Sequence, residues 1–299
     1  MLPFFDVLLG TVLTSFSILI ISTFMALMAD FLFPSFKKWT RMVLFFIIIT
    51  VALKPAFEHF ILIRDIAYSV SMMFIAVYPI LTATMIAAGG AFSLLNFQPA
   101  MLLFANGAVV LTEKLLIPLL TTALLLDVAT RLLPEVPFTK LAELIRTTLI
   151  GAVSAVVAAY SIFITVGGTM SWALSGLASE PIKELIQQNI PLIGSFMTES
   201  LGSIGRYTSG VSVFVGGWLI SSIWTVALVP SIKTLFTALF YRWTAALIEP
   251  FADEDITGLL DDIGKTLFVL CAVSFLIAFA FIYTALFSVI LIKLLTTVK

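Results

Sequence analysis

Charge is what this sequence has least of. Sixteen basic and seventeen acidic residues make up 11% of 299 positions, against 61% hydrophobic, whereas ordinary soluble domains carry about 25% charged residues. A soluble globular domain is excluded. The chain has one cysteine, Cys271, set in an apolar run, and one histidine, His59, so neither a disulfide framework nor a usual zinc site can be assembled. No basic stretch suggests nucleic acid, and a net charge of −1 points to no partner of either sign. The Ser-rich stretches lack a histidine partner. Gly264-Lys265-Thr266 ends like a P-loop, but Gly258 precedes it by six residues and no strand leads into it, so no nucleotide site is read there. No catalytic, cofactor-binding or metal-ligating residue is expected.

What is present is apolar sequence in runs of about 20 residues or more, the length that spans a bilayer core. Backbone polar groups in lipid must be satisfied within the structure, and without period-2 alternation that means helices. The expected fold is an all-α polytopic membrane protein. Phe4 to Phe33 has Asp6 instead of a basic n-region and an apolar core longer than a secretory signal's, so it is expected to stay in the mature protein. Lys37, Lys38 and Arg41 after it would place that loop in the cytoplasm. Met42–Leu53 meets Lys54 and Pro55 and is either part of a Pro-kinked span or an interfacial helix. Residues 66–88 form a clearer span. Gln98–Leu133, interrupted by Glu113, Lys114 and Pro118, is a kinked helix or two shorter ones. Leu141, Leu144, Ile145, Thr148 and Leu149 make an amphipathic lead-in to the next span, and Ile256, Leu259, Leu260, Ile263 and Leu267 repeat the device. Ser179 before Glu180-Pro181 is read as the N-cap of a short helix. The later spans are 211–229, 235–247, which either stands alone or continues the former past a kink at Pro230, and 267–292.

The chain also repeats itself. Pro79, Met85, Gly90, Pro118 and Thr122 recur 112 positions later as Pro191, Met197, Gly202, Pro230 and Thr234, and Leu141, Ile145, Thr148, Leu149, Phe163 and Ile164 recur 118 positions later as Leu259, Ile263, Thr266, Leu267, Phe281 and Ile282. Two related halves are expected, 67–178 and 179–299, after N-terminal helices in 1–66, an organisation that recurs in proteins moving solutes across membranes. Their orientation, inverted or parallel, stays open. Pro79, Gly89, Gly90, Pro118, Pro191, Gly202 and Pro230 are the candidate helix breaks or re-entrant turns.

Ionisable groups inside spans are costly and often mark pathways. Asp127 and Arg131, four apart on one helical face, are candidates, although Arg131 snorkelling to the interface with Asp127 as its local partner explains them more simply. Glu113 and Lys114 stand about 100° apart on a helix, so one would face the bundle unless the helix breaks there. Glu199 and Arg206 near Gly202 could line a polar path or lie in an aqueous loop. His59 beside Glu58 is read as a solvated interfacial pair. Trp172, Trp218, Trp224 and Tyr241 are interfacial anchors or packing.

Tyr78-Pro79-Ile80-Leu81-Thr82 leading to Gly89-Gly90, Leu144-Ile145-Arg146-Thr147 with Gly151, Ala245-Ala246-Leu247-Ile248-Glu249-Pro250, and Ile263-Gly264-Lys265-Thr266-Leu267 together resemble the membrane domain of the stage III sporulation protein AE family, over residues 70–295. The resemblance implies a polytopic protein made in the mother cell and placed in the membrane around the forespore. It also implies other stage III sporulation proteins as partners in a secretion-like channel or feeding tube. The bilayer is the other expected partner, and further copies of the chain are a candidate one. A membrane subunit of such a conduit is the leading reading. An autonomous secondary transporter would instead gather Glu113, Glu199 or Arg206 around a substrate cavity, and a structural scaffold would leave those charges at the interfaces.

Overall fold

The computed structural model describes residues 37–87, 98–133, 135–189, 214–250 and 254–297, with Ile20 and Phe24. Every regular element among them is helical. Helix α1 is Lys37–Ala87. Helix α2 is built of Gln98–Leu111, a π-helical turn Thr112–Leu116, and Ile117–Leu132. Helix α3 is Thr139–Asn189. Helix α4 is Phe214–Ile248 with a π-helical turn at Trp224–Leu228, and α5 is Glu254–Thr297. All five contain stretches long and apolar enough to cross a membrane. At 1.5 Å per residue α1 and α3, 51 residues each, are about 76 Å long, well beyond a hydrocarbon core of about 30 Å.

Several expected boundaries are absent because the helices run through them. Met42–Leu53 is not a separate interfacial helix; of the two readings the span through Pro55 holds, and α1 continues past Pro79 as well. Each proline removes one N–H from the ladder, and Thr82 Oγ1 donates to the Pro79 carbonyl (2.8 Å), the kind of local bond that lets membrane helices tolerate proline. Ser179 does not cap a new helix either, because α3 continues through Pro181. The positions 66/67 and 178/179 both fall inside helices. Gly89, Gly90, Pro191 and Gly202 lie outside the described residues, as does most of Phe4–Phe33.

The lead-in of α3 is turned relative to its apolar stripe. Leu141 and Leu144 face outward, at 46% and 62% exposure, and the inward face is Ala142, Arg146, Leu149 and Val153. In lipid an outward leucine costs nothing, so the polar residue can be the one enclosed. In α5 the expected face is the enclosed one, with Ile256, Leu259, Leu260, Ile263 and Leu267 all buried. Two thirds of the most apolar window of α5 is buried, against 22–39% in the other four helices, which makes it the most enclosed of the set.

The chain forms two compact units, and every long helix gives one stretch to each. Unit 1 holds α1 up to Asp65, α2 from Thr112, α3 up to Val153, α4 from Val229 and α5 up to Phe275. Within it α4 and α5 approach closely: a Cβ on Gly264 would lie 3.0 Å from the Ala238 carbonyl oxygen. Ser231 and Ser274 hydroxyls bond across the same pair of helices (2.5 Å), and Tyr241 donates to the Ala52 carbonyl (2.7 Å). Unit 2 is centred on Tyr160. Its ring stacks on Phe104 at 4.2 Å and meets Phe279 and Tyr283 edge-on, while its hydroxyl reaches Thr284 Oγ1 and the Ala280 carbonyl. Phe74 packs edge-to-face on Phe281 at 5.2 Å, and Ser71 donates to Asn106 (2.8 Å).

Candidate functional site

The charges that the apolar runs carry come together in unit 1. Asp127 of α2 is 1% exposed and Arg146 of α3 is 5% exposed. Arg146 Nη2 donates to the Asp127 carboxylate, and its Nε donates to Thr266 Oγ1 of α5 (2.9 Å). Thr266 in turn donates to the Asp262 carbonyl (2.9 Å). Arg131, in the last turn of α2, spans to α5 as well: Nη2 donates to Asp262 Oδ2 (3.2 Å) and Nη1 lies 3.7 Å from Asp255. The helix termini favour this, since the first turn of α5 carries Glu254 and Asp255 and an acidic N-terminus complements a basic C-terminal turn. Gly258 leaves the space that the Arg131 guanidinium occupies. From Asp262 the chain of contacts passes through Lys265 (3.2 Å) to Asp261 (2.8 Å) and ends at Arg242 of α4 (3.0 Å).

Asp127 and Arg131 are therefore not a local pair, contrary to the simpler sequence reading. Each reaches a different helix, because these two residues, four apart on α2, meet opposite charges on neighbouring helices before they need one another. Within a low-dielectric interior an uncompensated charge costs several kcal/mol, which is the physical reason the network is so fully paired. Thr130 fastens the α2–α3 turn, accepting from the Phe138 N–H and donating to the Leu126 carbonyl (both 2.9 Å).

The other candidates lie elsewhere. Glu113 and Lys114 sit on the π-helical turn of α2, with side chains 40% and 74% exposed, 4.0 Å from each other; Arg64 of α1 is 3.9 Å from Glu113. Neither enters the buried network. Glu199 and Arg206 lie outside the described residues. His59 is buried at 6% exposure and its Nδ1 bonds Thr234 Oγ1 (2.9 Å), so it is not the solvated interfacial partner of Glu58. Tyr241 is a packing residue, whereas Trp218 and Trp224 are more than half exposed. Among the described residues no three His, Cys, Asp or Glu side chains gather in a metal-holding set.

Arg146, Arg242, Asp261 and Asp262 were not singled out from the sequence, yet a signal existed. Asp127 and Arg146 are 19 apart, and so are Arg242 and Asp261. Opposite charges placed symmetrically about a turn are what an antiparallel helical hairpin brings together. The two proline positions match as well. Pro118 and Pro230 each stand two residues after the last residue of a π-helical turn, and Thr122 and Thr234 each donate to the carbonyl of the proline four residues back, at 2.9 and 3.2 Å.

Among the described residues Arg131 Nε is the one buried side-chain donor without a hydrogen-bond acceptor. The network's chemistry is that of a polar lock between helices, with acids and bases neutralising each other. The family model for stage III sporulation protein AE matches residues 5–292. The chain belongs to that family. The match reaches further toward the N-terminus than the runs that suggested it. A relative from Bacillus subtilis (strain 168), named stage III sporulation protein AE, is 25% identical over 207 residues, covering 69% of this chain and 52% of the relative. The matched region thus spans about half the length of that curated relative. No solved structure matches the chain. This is a sporulation-family protein with, among the described residues, five helices long and apolar enough to cross a membrane.

Proposed function

We propose that the chain is a membrane subunit of a channel-like assembly joining mother cell and forespore during sporulation, and that its contribution is a rigid helical platform. It sits, on this reading, in the mother-cell-derived membrane around the forespore, beside other stage III sporulation proteins and further copies of itself. The observation that carries the platform reading is the buried network in which Arg131 and Arg146, from the α2–α3 hairpin, bond to Asp262 and Thr266 of the α4–α5 hairpin. Such pairing resists separation of the hairpins, because parting them would leave buried charge uncompensated. A secondary transporter needs the reverse, a binding site whose walls part on each cycle.

We also propose that 67–178 and 179–299 are repeats of like orientation. Matched π-turn, proline and threonine positions support the relationship. Both hairpins enter unit 1 from unit 2, turn there and leave again, which supports the parallel arrangement over the inverted one. Pore-forming breaks at Gly89-Gly90 and Gly202 remain part of the proposal on the strength of their sequence alone.

Electron microscopy of the detergent-solubilised protein, alone and coexpressed with neighbouring stage III sporulation gene products, tests the conduit. A ring of many subunits is the expected particle. A lone monomer under both conditions, together with solute uptake by the isolated chain in vesicles, would replace the conduit with the transporter.

A further inference from the structure

A cavity of about 400 Å³ opens in unit 1 beside the ion network. Its wall carries Arg131, Arg146, Arg242 and Lys265 against only Glu143 and Asp262. The carboxylates of Asp127 and Asp261, which pair with three of these cations, sit outside that wall, so the face turned to the cavity is enriched in positive charge. Guanidinium groups such as those of Arg131, Arg146 and Arg242 bind phosphoryl oxygens through several N–H donors at once.

Two further features indicate where that anion comes from. The cavity reaches Arg131, one residue before the apolar span Leu102–Leu132 ends, and Thr139, where the apolar span Thr139–Phe163 begins, the level at which headgroups would meet these spans in a bilayer. Its flank includes Ile150 and Phe268, apolar side chains each 45% exposed, a surface suited to acyl chains. Basic pockets between membrane helices are established headgroup sites in general.

We propose that this cavity binds the phosphoryl headgroup of an anionic membrane phospholipid, with the acyl chains lying along Ile150 and Phe268. The site is independent of the conduit reading, since it needs only the folded chain in a bilayer.

The test uses the full chain in nanodiscs of phosphatidylcholine with or without phosphatidylglycerol, reading lipid retained by native mass spectrometry and the thermal midpoint. Phosphatidylglycerol should be retained over phosphatidylcholine, and Lys265→Gln should weaken that preference about fivefold, the effect of one basic residue near an anionic surface. Because Lys265→Gln also removes an ion pair, two further variants keep the proposal falsifiable. Glu143→Gln deletes a carboxylate from the wall and should strengthen the preference. Thr147→Trp fills the cavity without removing charge and should abolish it, with the midpoint in phosphatidylcholine unchanged. Equal retention of the two lipids, no gain in Glu143→Gln, or full preference in Thr147→Trp overturns the site. Protection by inorganic phosphate equal to that by phosphatidylglycerol overturns the lipid as the occupant.

Discussion

Arg146 donates to the carboxylate of Asp127 across the α2–α3 hairpin, and both side chains are almost wholly enclosed. Nineteen residues separate them, the same interval that separates Arg242 from Asp261 on the α4–α5 hairpin with the signs exchanged. The two pairs nonetheless differ in environment. Side chains of the first are 7% and 1% exposed, and those of the second 48% and 32%.

That difference in burial predicts different energetic consequences. Arg146→Met leaves Asp127 buried and unpaired and should destabilise the protein by about 3–5 kcal/mol. Adding Asp127→Leu should recover most of the loss, because a buried pair can be replaced by apolar groups at little cost. Arg242→Gln should cost at most about 1 kcal/mol, as exposed pairs do. Thermal unfolding of the purified variants in one detergent checks all three. Equal losses for Arg146→Met and Arg242→Gln would show that burial does not govern this network.

Gly264 sets how closely α4 and α5 approach. A side chain there would press on the Ala238 carbonyl and the Arg242 stem, so Gly264→Val should cost about 1–3 kcal/mol through overpacking. Gly217, also helical, has nothing within 4 Å of an added Cβ, and Gly217→Ala should be neutral or stabilise by up to about 1 kcal/mol. The pair of midpoints, measured side by side, separates close packing from helix propensity.

Tyr160 combines stacking with a hydroxyl bonded to Thr284 and the Ala280 carbonyl. Tyr160→Phe keeps the ring and removes one hydroxyl, for an expected loss of about 1 kcal/mol. Thr284 still donates to Ala280 (2.6 Å), so no donor is stranded. Tyr160→Ala also opens a void and should cost about 3–5 kcal/mol. Denaturation midpoints of the two variants give the comparison directly.

Like orientation of the hairpins has a topological readout. Glu135 and Glu249, both exposed, stand at the two turns. Single cysteines introduced there should react with a membrane-impermeant maleimide from the same side of the membrane, while the native Cys271, which is buried, stays unlabelled. Labelling from opposite sides would make the repeats inverted.

Much of this is legible in the amino-acid sequence. An 11% charged fraction suits burial in lipid, and lipid favours helices, so the all-helical class and the presence of helices long and apolar enough to span follow from composition and run length. The 112-residue echo of Pro118-Thr122 in Pro230-Thr234 was visible too, and both sites carry the same proline-to-threonine hydrogen bond. Helix ends were less legible. Pro55 left a continuing span and an interfacial helix equally open, Pro79 stood among the candidate helix breaks and Pro181 at the start of a short helix, yet each lies within a continuous helix, since one lost bond is small beside the penalty for exposing backbone to lipid.

Composition and periodicity by themselves determined that this is an all-helical chain suited to a membrane, because transfer of apolar runs and the need to satisfy every peptide group are local properties of the sequence. Only the tertiary structure decided which charges meet. Arg146 looked like one polar residue beside an apolar stripe, and Asp127 looked like a companion of Arg131. Their partners come from residues up to 120 positions away, and the face of α3 that turns inward is chosen by those partners rather than by hydrophobicity, which in lipid no longer distinguishes inside from outside.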